Sequence, residues 1–410
     1  MKSLDYISDI SGGLSCIKDL EVAGSKEGKY GVAIIVSKDS QAAGVFTSNK
    51  VVAAPVKYTK KMLKNGIVSA IFVNSGNANC FTGQQGIEDC EELVKLVSKD
   101  LKIPESEIAI ASTGVIGREM PMDIIEKVAY ETLSKLDDTP ESSLEAAKAI
   151  MTTDTVPKEF AVEIALENNE TVRIGGITKG VGMIAPNMGT MLCFLVTDAV
   201  MDHKYIKKAL KKAVDDSFNM IVVDGDESTN DTTLLLANGA SGVEVVEDGK
   251  INERFQKGLD YICKVLAKKQ VRDGEGASKI IEATVSGAKS KDDARRAAKS
   301  IISSALVKSA VFGADPNWGR IAAAVGYAGI DMDETVISIG LANDEDSVFM
   351  VREGNILALD DTPELRQAEE IMKSERIFIN VDLHLGDCSA TAWGCDLTYD
   401  YVKINAEYTT

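Results

Sequence analysis

Apolar runs and polar breaks alternate along the whole chain, with no internal repeat and no low-complexity linker. Val32–Val36, Val68–Val73 and Glu107–Ser112 are short β-prone runs, whereas Ile87–Leu101, Met122–Leu136 and Ser142–Ile150 place apolar residues at helical spacing. Phe160–Leu166 and Thr171–Ile177 alternate well enough to predict a hairpin turning at Glu167–Asn168–Asn169. A loop then leads into the apolar run Thr190–Val196. Beyond it the pattern predicts helices at His203–Phe218, Asn252–Lys269 and Lys291–Val307, and strands at Ile280–Val285, Ile377–Leu383 and Tyr401–Ile404. Gly313–Arg320 reads as a loop–helix junction. Strands and helices interleave but hairpins are frequent, which favours a layered α+β sandwich over a doubly wound parallel sheet.

The segment Lys179-Gly-Val-Gly-Met-Ile-Ala-Pro-Asn-Met-Gly-Thr190-Met-Leu192 carries the most chemical information. Its Gly- and Pro-rich part is a turn, and the part from Thr190 is a strand. Thr190 thus stands where a loop meets a buried strand, preceded by Gly189, which has no Cβ to hinder approach to its carbonyl. A hydroxyl so placed is suited to attack its own upstream peptide bond. After such a cut Thr190 holds both a nucleophilic Oγ and a free α-amine. With a reference pKa of roughly 7.7–8.0, that amine is a general base near neutral pH without any histidine.

Composition narrows the chemistry. The only histidines are His203 and His384, neither beside another catalytic motif, so a Ser–His–Asp or Cys–His constellation and a multi-histidine metal site are not expected. Seven cysteines, an odd number without a C-x-x-C, read as thiols of a reducing compartment. The start Met1–Asp5 lacks a basic region followed by an apolar run, so no signal peptide is expected, and no apolar run nears the ~18 residues of a membrane span. A formal net charge of −18 argues against a nucleic-acid surface. The expectation is a cytoplasmic protein that binds neither membrane nor nucleic acid.

No P-loop and no complete dinucleotide fingerprint occurs, so no nucleotide cofactor is expected. Asp224–Asp231 is rich in acids but lacks the spacing of a calcium loop; a solvated turn or supporting network is favoured and no metal is expected. Thr113–Gly114 leaves an apolar strand and offers a hydroxyl and an unhindered N–H to one point, the donors an oxyanion needs. Met151–Thr155 reads as a helix end. Lys179 reads as a loop lysine, able to bind a carboxylate or to keep a nearby amine neutral. The terminal Val402–Thr410 has a β-prone start and is expected to dock rather than fray.

These motifs together resemble the ornithine acetyltransferases (glutamate N-acetyltransferases) of arginine biosynthesis, a branch of the N-terminal-nucleophile hydrolases. The resemblance runs over nearly the whole chain, through Asn74–Asn79, Ser112–Gly114, Met151–Thr155, Lys179–Leu192, Asp224–Asp226, Gly313–Arg320 and Ile404–Tyr408. It implies an α/β/β/α sandwich with smaller α/β domains in the C-terminal half. It implies self-cleavage between Gly189 and Thr190 into chains 1–189 and 190–410, the second divided into 190–283 with the nucleophile and a C-terminal domain 284–410. An α2β2 assembly follows from it. So do Thr190 as nucleophile, an oxyanion hole at Thr113 and Gly114, and substrate contacts at Thr152, Lys179, Thr190, Glu275, Asn405 and Thr410. Its substrates are N2-acetylornithine and glutamate, with acetyl-CoA a further candidate donor. Gly189 departs from the alanine common in the family, and its freedom is expected to slow cleavage. Two other classes stay open: an amidohydrolase or aminopeptidase that passes its acyl group to water, and an uncleaved amino-acid-binding protein.

Overall fold

The computed structural model describes residues 5–185 and 191–407. In chain order the first half comprises β1 (Ile7–Ile10), β2 (Glu21–Glu27), β3 (Tyr30–Phe46), α1 (Ala54–Met62), β4 (Ile67–Asn77), α2 (Gly83–Leu101), β5 (Ile108–Val115), α3 (Met122–Leu133), α4 (Pro140–Ala149), β6 (Lys158–Ala165) and β7 (Thr171–Lys179). There follow β8 (Leu192–Thr197), α5 (His203–Asp215), β9 (Ile221–Val222), β10 (Thr232–Ala237), the short pair β11 (Val246–Glu247) and β12 (Lys250–Ile251), and α6 (Glu253–Arg272). The last part holds β13 (Ile280–Ala288), α7 (Lys291–Ser303), α8 (Ala305–Phe312), α9 (Trp318–Gly326), β14 (Ser338–Ala342), β15 (Ser347–Arg352), β16 (Asn355–Ile356), α10 (Pro363–Ile371), β17 (Arg376–Asp382), β18 (Cys388–Cys395) and α11 (Tyr399–Glu407).

Among the described residues the first sheet runs β1-β6-β7-β8-β10-β3-β4-β5, with β2 also on β3. Its hinge is β3. The first part of this 17-residue strand pairs with β2 and β4; after a register shift between Val36 and Ser40, its second part pairs with β10. The sheet therefore folds back over itself. Period-2 alternation then sorts the side chains into layers. Val32, Ile34, Ala70 and Phe72 pack outward on Leu93 and Val97 of α2 and Ile125 and Val128 of α3. Ala33, Ile35, Ile71 and Val73 point inward and meet Leu192, Phe194, Val196, Leu234 and Leu236 of β8 and β10. From the other face of those two strands, Cys193, Leu195 and Leu235 pack on Leu210 of α5 and Leu259 of α6. The result is the α/β/β/α sandwich that the sequence led us to expect.

A second sheet, β16-β15-β14-β17-β13-β18-β9, is covered by α7 and joins the same core through α6. The expected boundary at 283/284 falls inside β13, and β9, from the expected middle domain, pairs with β18 of this sheet. Two elements depart from expectation. The stretch Lys291–Val307 is not one helix, because the Ser304 hydroxyl accepts from Val307 N (3.3 Å) and starts α8 anew. The terminal segment is the helix α11, not a strand. Thr398 Oγ1 accepts from Tyr401 N (3.2 Å) at its start, and the helix buries none of its residues.

Candidate active site

At the end of β5 the parallel register with β4 runs from Ala70 opposite Ile108 to Gly76 opposite Gly114, then slips. The two strands approach so closely there that a Cβ on Gly114 would lie 2.4 Å from the Gly76 carbonyl carbon. Gly114 also has φ +135, so this position needs glycine on both counts. Thr113 beside it is 6% exposed and faces a cavity of about 330 Å³.

The opposite wall comes from the loop after α4 and the end of β7. Lys179, expected in a loop, is instead the last residue of β7, and it is buried. Its Nζ donates to Thr152 Oγ1 (2.8 Å) and Thr113 Oγ1 (3.3 Å) and stands 3.7 Å from Asp154 Oδ2. Asp154 also accepts from Thr152 N (3.1 Å), Gly180 N (2.9 Å) and Lys158 Nζ (2.8 Å). Burial works against the Asp154 charge, but Lys179 and Lys158 outweigh it and hold the carboxyl down at about 2.

Glu275 closes the far end. It follows α6 and is fixed by donation of its own N–H to Val181 O (2.9 Å). Its carboxylate sits against Gly182, where a Cβ would come within 2.5 Å of it, and Oε2 accepts from Asn405 Nδ2 of α11 (2.9 Å). Asp224 pins the adjoining wall by accepting from Met183 N (2.5 Å) and Ile184 N (2.9 Å). Burial pushes the Asp224 carboxyl up. Burial, then Asp224, Asp226 and Glu275, push the nearby Tyr401 phenol up as well.

Ser228, Thr229 and Asn230 form the floor. Asn230 Nδ2 donates to Ala78 O (2.6 Å) and Ser112 O (2.8 Å), tying the segment that leaves β4 to β5 itself. The next residue, Asp231, accepts from Met191 N (2.6 Å) and so fixes the start of the segment entering β8. Burial raises the Asp231 carboxyl well above its ordinary range.

The model of the ArgJ family matches residues 19–410. The chain belongs to this family. A glutamate N-acetyltransferase of Methanothermobacter thermautotrophicus is 51% identical over 98% of this chain and 98% of its own. One of Methanocaldococcus jannaschii is 54% identical over 98% and 99%. A crystal structure of the arginine biosynthesis bifunctional protein argJ from Bacillus halodurans aligns at 39% identity over 52% of this chain and 96% of that one, with a TM-score of 0.47.

In this ArgJ-family chain, Thr113, Gly114, Thr152, Lys179, Glu275 and Asn405 all line the one cavity. Gly189, Thr190 and Thr410 lie outside the described residues. Thr153 lines the cavity too, but Thr152 is the one bonded to Lys179. The floor residues Ser228–Asn230 were missed as cavity lining: they sit in the acidic loop read as a solvated turn or supporting network, and Ser-Thr-Asn-Asp before an apolar strand was the available signal. Elsewhere, His384 Nε2 lies 3.0 Å from Ser338 Oγ and Asp382 3.7 Å from Nδ1. Ser338 is 4% exposed and its hydroxyl already accepts from Glu353 N (3.0 Å), so this trio is built into the sheet rather than open to a substrate. Among the described residues no cluster of three or more His, Cys, Asp or Glu is placed to hold a metal, and no helix is long and apolar enough to cross a membrane.

Proposed function

We propose that this chain moves the acetyl group of N2-acetylornithine to the α-amine of glutamate, in arginine biosynthesis, through an acetyl ester on Thr190. One observation carries the reading: six residues drawn from β5, β7, the loop after α4, the turn after α6 and α11 converge on a single small polar cavity. The glutamate N-acetyltransferases at 51–54% identity support the same activity.

Self-cleavage between Gly189 and Thr190 frees the α-amine that serves as base. Thr190 Oγ attacks the acetyl carbonyl, and that amine takes its proton. Thr113 Oγ and Gly114 N–H donate to the developing oxyanion. Collapse of the tetrahedral adduct breaks the amide bond, and the proton passes to ornithine's departing nitrogen. Glutamate then enters; its amine attacks the ester carbonyl, giving up a proton to the Thr190 α-amine, the ester C–O bond breaks, and that proton returns to Thr190 Oγ. Glu275 suits ornithine's ammonium, Lys179 suits carboxylates, and the hydroxyl and amide groups of Thr152 and Asn405 can donate or accept. The seven free thiols are in keeping with a cytosolic enzyme. The two chains are expected to stay together as α2β2, and acetyl-CoA is a second donor to assay.

Mass spectrometry of enzyme incubated with N2-acetylornithine alone tests this. One acetyl group on the fragment that begins at Thr190 is expected, removed by glutamate faster than by water. A fully active protein that stays one uncut chain would sink the nucleophile assignment.

A further inference from the structure

Behind Lys179 lies a row of buried charges that do not themselves line the cavity. Lys179, Asp154, Lys158 and Asp273 alternate in sign, with side-chain exposures of 4, 0, 1 and 5%. Lys158 Nζ meets Asp273 Oδ2 at 2.5 Å, and Asp273 also accepts from Thr155 N (3.0 Å). Charges so thoroughly removed from water are costly unless each meets an opposite charge. The row ends at the cavity wall, on the Thr113 hydroxyl.

The direction of that last hydrogen bond matters. An ammonium has donors only, while a hydroxyl has one proton and two lone pairs. With Lys179 charged, Thr113 Oγ1 must accept from it, and the Thr113 proton is left to point elsewhere. Among the described residues none accepts that proton, and Thr113 faces the cavity. A neutral lysine amine can accept instead and turn the hydroxyl proton away from the reacting oxygen.

We infer that Asp154 is a positioning residue for acyl transfer: by facing Lys179 and accepting from the Thr152 and Gly180 amides, it keeps a cation beneath the Thr113 hydroxyl and so aims that hydroxyl into the cavity. This rests on the proposed reading of Thr113 as an oxyanion donor. The other charges around Lys179 are Lys26 of β2, whose own charge burial disfavours, Lys158 of β6, Asp273 after α6, and Asp231 before β10. Of the two carboxylates that act on it directly, only Asp154 is also bonded to the backbone on both sides of the cavity wall.

The test uses full-length enzyme carrying D154N, K179M or both, with K158M as a second probe. D154N keeps the shape and removes the charge. It should lower kcat roughly 10–100-fold with a much smaller change in KM. Its alkaline fall in kcat should move to lower pH. In K158M, where Asp154 has one cation fewer to share, that fall should move to higher pH. Adding D154N to K179M should change kcat by less than about twofold, because both act through one group. Trace labelling with deuterated acetic anhydride, read at Lys179 by mass spectrometry, should show the same opposite shifts without relying on turnover. Effects of D154N and K179M that multiply, or a labelling profile that does not move, overturn the inference. A wild-type enzyme that forms no acetyl ester defeats the proposed function instead, and the labelling still decides the link from Asp154 to Lys179.

Discussion

Asn405 Nδ2 donates to Glu275 Oε2 at 2.9 Å, joining residues 130 positions apart. The last helix thereby holds Glu275, the one carboxylate among the described residues that line the cavity, while Gly182 leaves room for it on the other side. Substituting E275Q keeps the shape and removes the charge. It should raise KM for N2-acetylornithine about tenfold or more, as expected for loss of a hydrogen bond to a charged group. Glutamate, which brings a carboxylate, should lose little or nothing. Equal losses for both substrates in steady-state assays would mean that Glu275 does not read the ammonium.

Thr113→Ala tests the oxyanion role directly. Loss of one preorganised donor should reduce kcat by roughly 10²–10³ while KM changes less. The proposed cut before Thr190 would pass through a tetrahedral oxyanion as well, so gel electrophoresis should show uncut chain accumulating in this variant. A rise in KM alone would assign Thr113 to substrate binding.

Gly114→Ala is expected to damage the fold before the chemistry. A side chain at φ +135 costs about 1–3 kcal/mol in backbone strain, and the Cβ at 2.4 Å from Gly76 must push β4 and β5 apart. Thermal melts should show a clear fall in Tm. An unchanged Tm with lost activity would contradict the close approach.

Acid should expose the ionic contribution of Asp154. Its carboxyl is lowered from 3.8 to about 2, so its contribution is complete above the unfolded value and disappears as pH falls through the folded one. The stability gap between wild type and D154N, followed by urea unfolding, should close between about pH 5 and about pH 2. A gap independent of pH would show that the variant's cost is packing rather than charge.

The parts of this protein that were legible in its sequence are those with a period. β4 and β5 announce themselves as apolar runs, the hairpin β6–β7 alternates, and α2 and α6 carry apolar stripes. The final helix has no such stripe because it buries nothing, and Val402 and Ile404 flanking a lysine imitate a strand. Lys179 read as a loop residue and not as a buried strand end because its counter-charge, Asp154, is 25 positions away in the chain and adjacent only in space. Ser228–Asn230 were hidden for a similar reason. Asn230 acts through carbonyls 152 and 118 residues distant, and no local pattern records such bonds.

The first sheet spans the expected cut. β7 lies before the expected cut and β8 after it, yet they pair antiparallel from Ile174–Thr197 to Lys179–Leu192, and β10 pairs with β3 across the same divide. Neither piece alone contains a closed set of strands. A cut at Gly189–Thr190 turns those ladders from contacts within a chain into contacts between two molecules. Refolding then becomes a second-order process: the uncut T190A chain should recover from urea at a rate independent of dilution, while the matured pair should recover more slowly the more dilute it is. Once cut, the protein would depend on a second molecule for a sheet that the uncut chain can build alone.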